Sequence, residues 1–248
     1  MLLGCLFDLD DSNVNVSRVV SRLRPLLPEV LPLPVQETLL FANDESDRNK
    51  RIATLAELFQ KHTEFKEVLI DATEQADRRS SAVLSKTEIP KPEDKQKRQG
   101  SYSGKKKRHT LKTQVMTSRS GLLLHVSRAS AGKVNDLTLL RGSGVLRELP
   151  DGLPVRLDRS YDGVEPDYPE RRFQMPHKAR RNKPLDLVQK WANQLPNRYR
   201  APVEHALAQL KRFKLLATVY RGPQRSYDDT FLAVSGLHDF RKQSRLAW

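Results

Sequence analysis

The 248-residue chain is 38% apolar and carries 44 Lys and Arg against 30 Asp and Glu, a formal charge of +14. That length and apolar content support one mixed domain with a real core plus a small appendage, and the charge favours a polyanionic partner, nucleic acid first and an anionic membrane surface second. A single cysteine, Cys5, excludes an intrachain disulfide and a four-cysteine zinc site.

The opening MLLGCLF is too short for a membrane span and lacks the basic start of a secretory signal, so a cytoplasmic protein is expected. Residues 12–27, SNVNVSRVVSRLRPLL, begin with Ser12 as a helix cap and set Val16, Val19, Val20 and Leu23 at helical spacing beside Arg18, Arg22 and Arg24. Pro25 should end or kink this helix. After LLGCLFDLDD it fits the second half of a helix-turn-helix, and equally an ordinary surface helix with a basic face. LPEVLPLPVQ reads as an extended connector, and a helix is expected over residues 48–62.

From Phe65 the pattern changes to strand, FKEVLID, with Asp71 at its end. The polar stretch 76–100 reads as a loop. From Tyr102, YSGKKKRHTLKTQVMTSRSGLLLHVS reads as a β-hairpin: Thr110, Lys112 and Gln114 alternate with Leu111, Thr113 and Val115, SRSG turns, and LLLHVS returns. Asn135 and Asp136 cap a helix over residues 137–140 that Gly142 and Gly144 end. PVRLD is a strand ending at Asp158, RRFQMP another, and a helical pattern runs from Leu185 to about Ala217 with a break near Pro196. This order describes an α/β fold with a mixed central sheet.

Three carboxylates stand out because each has a different local context. Asp71 and Asp158 end short Val- and Leu-rich runs of buried-strand type, so they should emerge at an edge of a sheet. Glu204 lies on the helix RAPVEHALAQLKRFK. There Arg200, Glu204, Ala208 and Lys211 share one face, and Val203, Ala206, Leu207, Leu210 and Ala217 form the adjoining apolar stripe. Acids from two strands and a helix meeting at one point can hold two Mg²⁺ or Mn²⁺ ions through oxygen ligands. Glu74 and Asp77 near Asp71, and Asp162 near Asp158, are alternative donors. An aspartate after a strand is also a common turn former or helix cap, and Arg–Glu pairs at i,i+4 are common on exposed helices.

Lys105, Lys106, Lys107 and Arg108 lead into the hairpin, and His177, Lys178, Arg180, Arg181 and Lys183 follow another strand, so both runs suit contact with a DNA backbone. No GxxxxGK[ST] string suggests ATP, and no HExxH or Cys/His spacing suggests zinc.

Six strings, LIDATEQ, YSGKKKRHTLKTQV, GKVNDLTLL, RLDRSYDG, PHKARRNKPL and RAPVEHALAQLKRFKLL, resemble in order those of bacterial insertion-sequence transposases of the DDE superfamily. The resemblance implies an RNase H-like mixed sheet flanked by helices over residues 64–248, behind an N-terminal helical segment over 1–63, a partial helix-turn-helix. It implies that Asp71, Asp158 and Glu204 are the catalytic and metal-binding triad and that Arg200 and Lys211 meet DNA; by their charge Lys105, Lys106, Lys107, Arg108, Lys178, Arg180, Arg181 and Arg212 are expected to join them. Double-stranded DNA, both element ends and target, and a homodimer or larger assembly follow from the same likeness, as does a place at the bacterial nucleoid; no ATP is expected from the missing phosphate-cradling string and no membrane from the short apolar opening. Ser160 stands where the family commonly has Gly: either it takes an ordinary conformation or its loop is strained. A non-catalytic DNA-binding protein derived from a shortened transposase is the rival expectation.

Overall fold

The computed structural model describes residues 35–36, 54–78, 102–177, 179 and 184–246. The helix expected over 12–27, most of the proline-rich connector and the polar stretch 79–100 lie outside the described residues.

The centre is an eight-stranded mixed sheet, and its long strands are β2 (Val68–Ala76) and β4 (Arg108–Ser118). They pair antiparallel from Val68 opposite Ser118 to Ala76 opposite Thr110. β5 (Leu123–Val126) returns antiparallel on β4 after a turn in which Gly121 takes φ 82°, the left-handed conformation that favours glycine. β1 (Val35–Gln36) runs parallel to β5 at one edge. On the other side β7 (Val155–Arg156) lies parallel to β2, and β8 (Phe173–Gln174) parallel to β7. Two short strands, β3 (Tyr102–Ser103) and β6 (Ser130–Ala131), also pair with β4.

The expected hairpin forms, but its middle is buried on both faces. Thr110, Lys112, Thr113 and Gln114 are all less than 9% exposed. β4 is an interior strand covered on both sides, so period-two alternation between water and core does not apply to it.

Two apolar layers sandwich the sheet. One holds Val68, Ile70, Met116, Val155 and Leu157 with Leu55 and Phe59 of α1 (Leu55–Lys61) and Leu140 of α2 (Asp136–Ser143). The other holds Leu69, Leu111 and Val115 against Val203, Ala206, Leu207 and Leu210 of α4 (Gln194–Leu210) and Tyr227, Phe231 and Val234 of α6 (Tyr227–Leu246). The fold is therefore the RNase H-like α/β arrangement, a mixed sheet flanked by helices. No helix among the described residues is long and apolar enough to cross a membrane.

Boundaries differ from expectation at informative places. α1 starts at Leu55 because Thr54 caps it, its side chain accepting from the Glu57 N–H at 3.2 Å. Asn135 caps α2 as expected, but Gly142 stays inside the helix and Gly144, at φ 65°, ends it. The break in the C-terminal helical pattern falls at Asn193, between α3 (Leu187–Ala192) and α4. Pro196 sits in the first turn of α4, where a missing N–H costs little. A second interruption follows Leu210, before the short α5 (Lys214–Ala217), and it turns Ala217 out to solvent while Leu216 is buried. α6 carries no expectation from sequence, although Tyr227, Phe231, Val234 and His238 recur at helical spacing.

Candidate active site

Asp71 lies in the middle of β2, not at its end: the strand continues to Ala76. What ends before it is the neighbour. Along β2, β7 reaches only Val68 and Leu69. Asp71 and Asp158 each stand two residues beyond the last pair, Leu69 with Arg156, so the parallel register sets them side by side where the sheet splits open. Side chains alternate along a strand, so Asp71 shares the face of Leu69, the face on which α4 packs. The opposite face receives Val155 and Leu157, which leaves Asp158 toward α4 as well.

α4 brings the third acid and a cation. Val203, Ala206, Leu207 and Leu210 are buried against the sheet, and this orients Arg200 and Glu204 along the open flank. The Arg200 guanidinium sits among all three carboxylates: 3.0 Å from Asp158, where Nη1 donates to Oδ1, 3.3 Å from Glu204 and 3.7 Å from Asp71. Pro202, between Arg200 and Glu204 in sequence, has no N–H to donate to the preceding turn of α4.

The three acids differ in exposure: 17% for the Asp71 side chain, 34% for Asp158 and 55% for Glu204. Burial pushes the Asp71 carboxyl up to about 6. The Ala72 N–H, which donates to Oδ1 at 2.8 Å, and the charge of Arg200 pull it down, while Asp158 and Asp136 push it further up. Burial, not the neighbouring acids, dominates.

The alternative donors are engaged elsewhere. Glu74 accepts from Thr110 Oγ1 at 3.1 Å and lies 3.5 Å from the ammonium of the buried Lys112, which also meets Asp136 at 2.9 Å. Asp77 accepts from Gln224, and Asp162 follows the short turn Arg159–Tyr161 that leads away from Asp158. Ser160 lies inside that turn, and among the described residues only Lys107 combines a side chain with positive φ, at 53°. Ser160 thus takes an ordinary conformation; the left-handed residue of this loop is Gly163, at φ 95°.

Two residues that sequence reasoning passed over shape the site. Tyr161, fully buried, anchors the Asp158 turn through its hydroxyl, which accepts from Gln114 Nε2 at 2.9 Å. Its aromatic ring three residues after Asp158 was the available signal. Asn193, 6% exposed, grips the backbone of His177 at both groups, Oδ1 accepting from N–H at 2.6 Å and Nδ2 donating to C=O at 3.0 Å. No sequence pattern marks such a bracket.

Among the basic candidates, Lys105, Lys106, Lys107 and Arg108 form the exposed tip of the β3–β4 hairpin. Lys211 ends α4; burial lowers its pKa, the charges of Lys106 and Lys105 lower it further, and Asp71 and Glu74 raise it. This couples the hairpin tip, the end of α4 and the acids in one electrostatic neighbourhood. Arg212 is exposed beside Lys211, whereas Lys178, Arg180 and Arg181 lie outside the described residues.

The donor set fits a hard divalent cation by its chemistry, since all three groups offer carboxylate oxygen only. Among the described residues no three acidic, His or Cys side chains gather in metal-holding geometry; the acids meet at the guanidinium instead.

Residues 85–239 match the family described as DDE superfamily endonuclease. Asp158 and Glu204 fall within that match and Asp71 before it. The chain is also similar to a protein of Microchaete diplosiphon named "Probable transposase for insertion sequence element IS702", 29% identical over 158 residues, which cover 64% of this chain and 56% of that protein. It thus spans little more than half the length of that curated relative. No solved structure matches the chain.

Proposed function

Because the chain belongs to the DDE superfamily of endonucleases, we propose that it is an insertion-sequence transposase that cuts phosphodiester bonds at its element's ends and joins them to target DNA. The observation that carries this reading is the gathering of Asp71, Asp158 and Glu204, from a strand, a strand end and a helix, within 3.7 Å of one guanidinium.

In this proposal Asp71, Asp158 and Glu204 hold Mg²⁺ or Mn²⁺, two ions in all, which when bound lower the pKa of water and stabilise the charge on the leaving oxygen. Arg200 balances the acids from α4 and supplies a positive group beside the scissile phosphate. Lys105, Lys106, Lys107, Arg108, Lys211 and Arg212 grip the DNA backbone by charge, and Lys178, Arg180 and Arg181 extend that surface. In-line attack by water frees a 3′-hydroxyl. That hydroxyl attacks target DNA in the same site, and no covalent bond to the protein forms. The protein works on double-stranded DNA as a homodimer or larger assembly, in the bacterial cytoplasm at the nucleoid.

The test is nicking of supercoiled plasmid carrying candidate element ends, by the protein and by its Asp158→Asn variant, with Mg²⁺ or Mn²⁺. Metal-dependent nicking that the variant loses by at least about a hundredfold is expected. Salt-sensitive DNA binding without cleavage in either protein would overturn the catalytic reading and leave a DNA-binding protein.

A further inference from the structure

On the flank of α4 away from the three acids lies a cavity of about 240 Å³, where Arg212, Arg241 and Lys242 stand around a wall made in part by the Phe213 ring, with Ser120, Gln209 and His238 completing the lining. The helix itself separates the two places. Gln209 follows Glu204 by five residues, about 140° round an α-helix of 3.6 residues per turn. Three cations therefore share a hollow with no carboxylate in its lining, an arrangement whose mutual repulsion an anion relieves.

The neighbouring acid is already committed. Asp239 accepts the Leu123 N–H at 3.1 Å with both oxygens and meets His238 Nδ1 at 2.8 Å, and it attracts Lys242 from nearby. His238 is 4% exposed, and its Nε2 has no hydrogen-bond partner among the described residues. Backbone shape preserves the space for the ammonium: a Cβ at Gly121 would stand 3.1 Å from Lys242 Nζ. Arg241 and Lys242 lie past residue 239, the last that the family match covers, so the family likeness does not supply them.

We propose that this cavity is a second phosphate-binding site, which takes a phosphodiester of a DNA strand crossing α4 between the cavity and the three acids. The two flanks of a helix lie about 10–12 Å apart, a span of about three or four nucleotides of one strand. The assignment rests on the DNA-cutting function proposed above.

Binding of a fluorescent duplex to the full chain, followed by anisotropy over a salt series, tests it with the double variant Arg241→Gln/Lys242→Gln. The exposed Arg147→Gln serves as control, and thermal melts check the fold. Loss of one phosphate contact should reduce the log–log salt slope by about 0.9 in the double variant and leave the control unchanged. Should the double variant melt early, the exposed single change Arg241→Gln carries the same test. An unchanged slope in a folded variant overturns the site. An unchanged slope while inorganic phosphate raises the melting temperature of wild type alone also overturns it, by showing a free-anion pocket. A wild-type protein without salt-dependent DNA binding would overturn the DNA reading itself.

Discussion

Asp71 is the residue at which stability and chemistry pull apart. Its carboxyl in the folded protein titrates at about 6 against 3.8 ordinarily, so between those values the folded state holds a proton that the unfolded state has released. Stability then falls as pH rises through that window, and above pH 6 the full cost of burying the charge is present, about 2–3 kcal/mol at 1.36 kcal/mol per pKa unit. Asp71→Asn keeps an oxygen for the Ala72 N–H and removes the charge. In metal-free buffer at pH 8 the variant should be the more stable protein by up to about 2–3 kcal/mol, with the gap closing below pH 4. Urea denaturation at both pH values checks this; a variant less stable than wild type at pH 8 would show that the Arg200 ion pair outweighs burial. In the nicking assay the same change should abolish activity. Its position as an acid was readable in the sequence, since VLID announces a buried strand followed by a carboxylate. Its depth inside β2 was not, because burial depends on how far β4 and β7 extend beside it.

At the scale of elements, the site is held by joints rather than by the helices and strands themselves. Asn193, at the junction of α3 and α4, makes no capping hydrogen bond to α4; its amide instead ties that junction to the N–H and C=O of His177, as a peptide group would. Asn193→Ala leaves both backbone groups without that partner in a part-buried place, and should cost about 1–2 kcal/mol in chemical denaturation. Because α4 carries Arg200 and Glu204, nicking should fall along with stability; a variant of unchanged stability would mean that water replaces the amide fully. The amphipathic stripe of α4 was legible from Val203 to Leu210, as a local pattern of period 3.6. The break at Asn193 and the kink-prone Pro202 were placed differently or passed over, because proline position alone does not say which turn of a helix it occupies. The burial of both faces of β4 escaped for a related reason: Thr, Lys and Gln at positions 110–114 look solvent-facing until Glu74, Asp136, Ser127 and Tyr161 are brought to them by other elements.

For the whole molecule, the charge of +14 and the gathering of Asp71, Asp158 and Glu204 around Arg200 argue in the same direction. One cluster can act on one strand at a time, and joining an element to a target requires two ends held together. Mass photometry of the protein with end-bearing DNA should find two or more chains per complex, whereas a lone chain per duplex at saturating protein would contradict assembly on DNA. Residue identity and order decided much in advance: a basic chain, an α/β succession, three acids in three contexts and the strings that carry the family likeness are one-dimensional properties, written in composition and short-range spacing. Only the folded chain decided that Asp71 and Asp158 lie side by side, that Arg200 stands between them and Glu204, and that Arg212 meets Arg241 and Lys242 around a hollow. These depend on strand register, on the rotation of α4 over the sheet and on the docking of α6. Such long-range contacts arise when apolar faces close on one another, and no local pattern in the sequence encodes the distance between residues that are 87 or 133 positions apart, as Asp71 is from Asp158 and from Glu204.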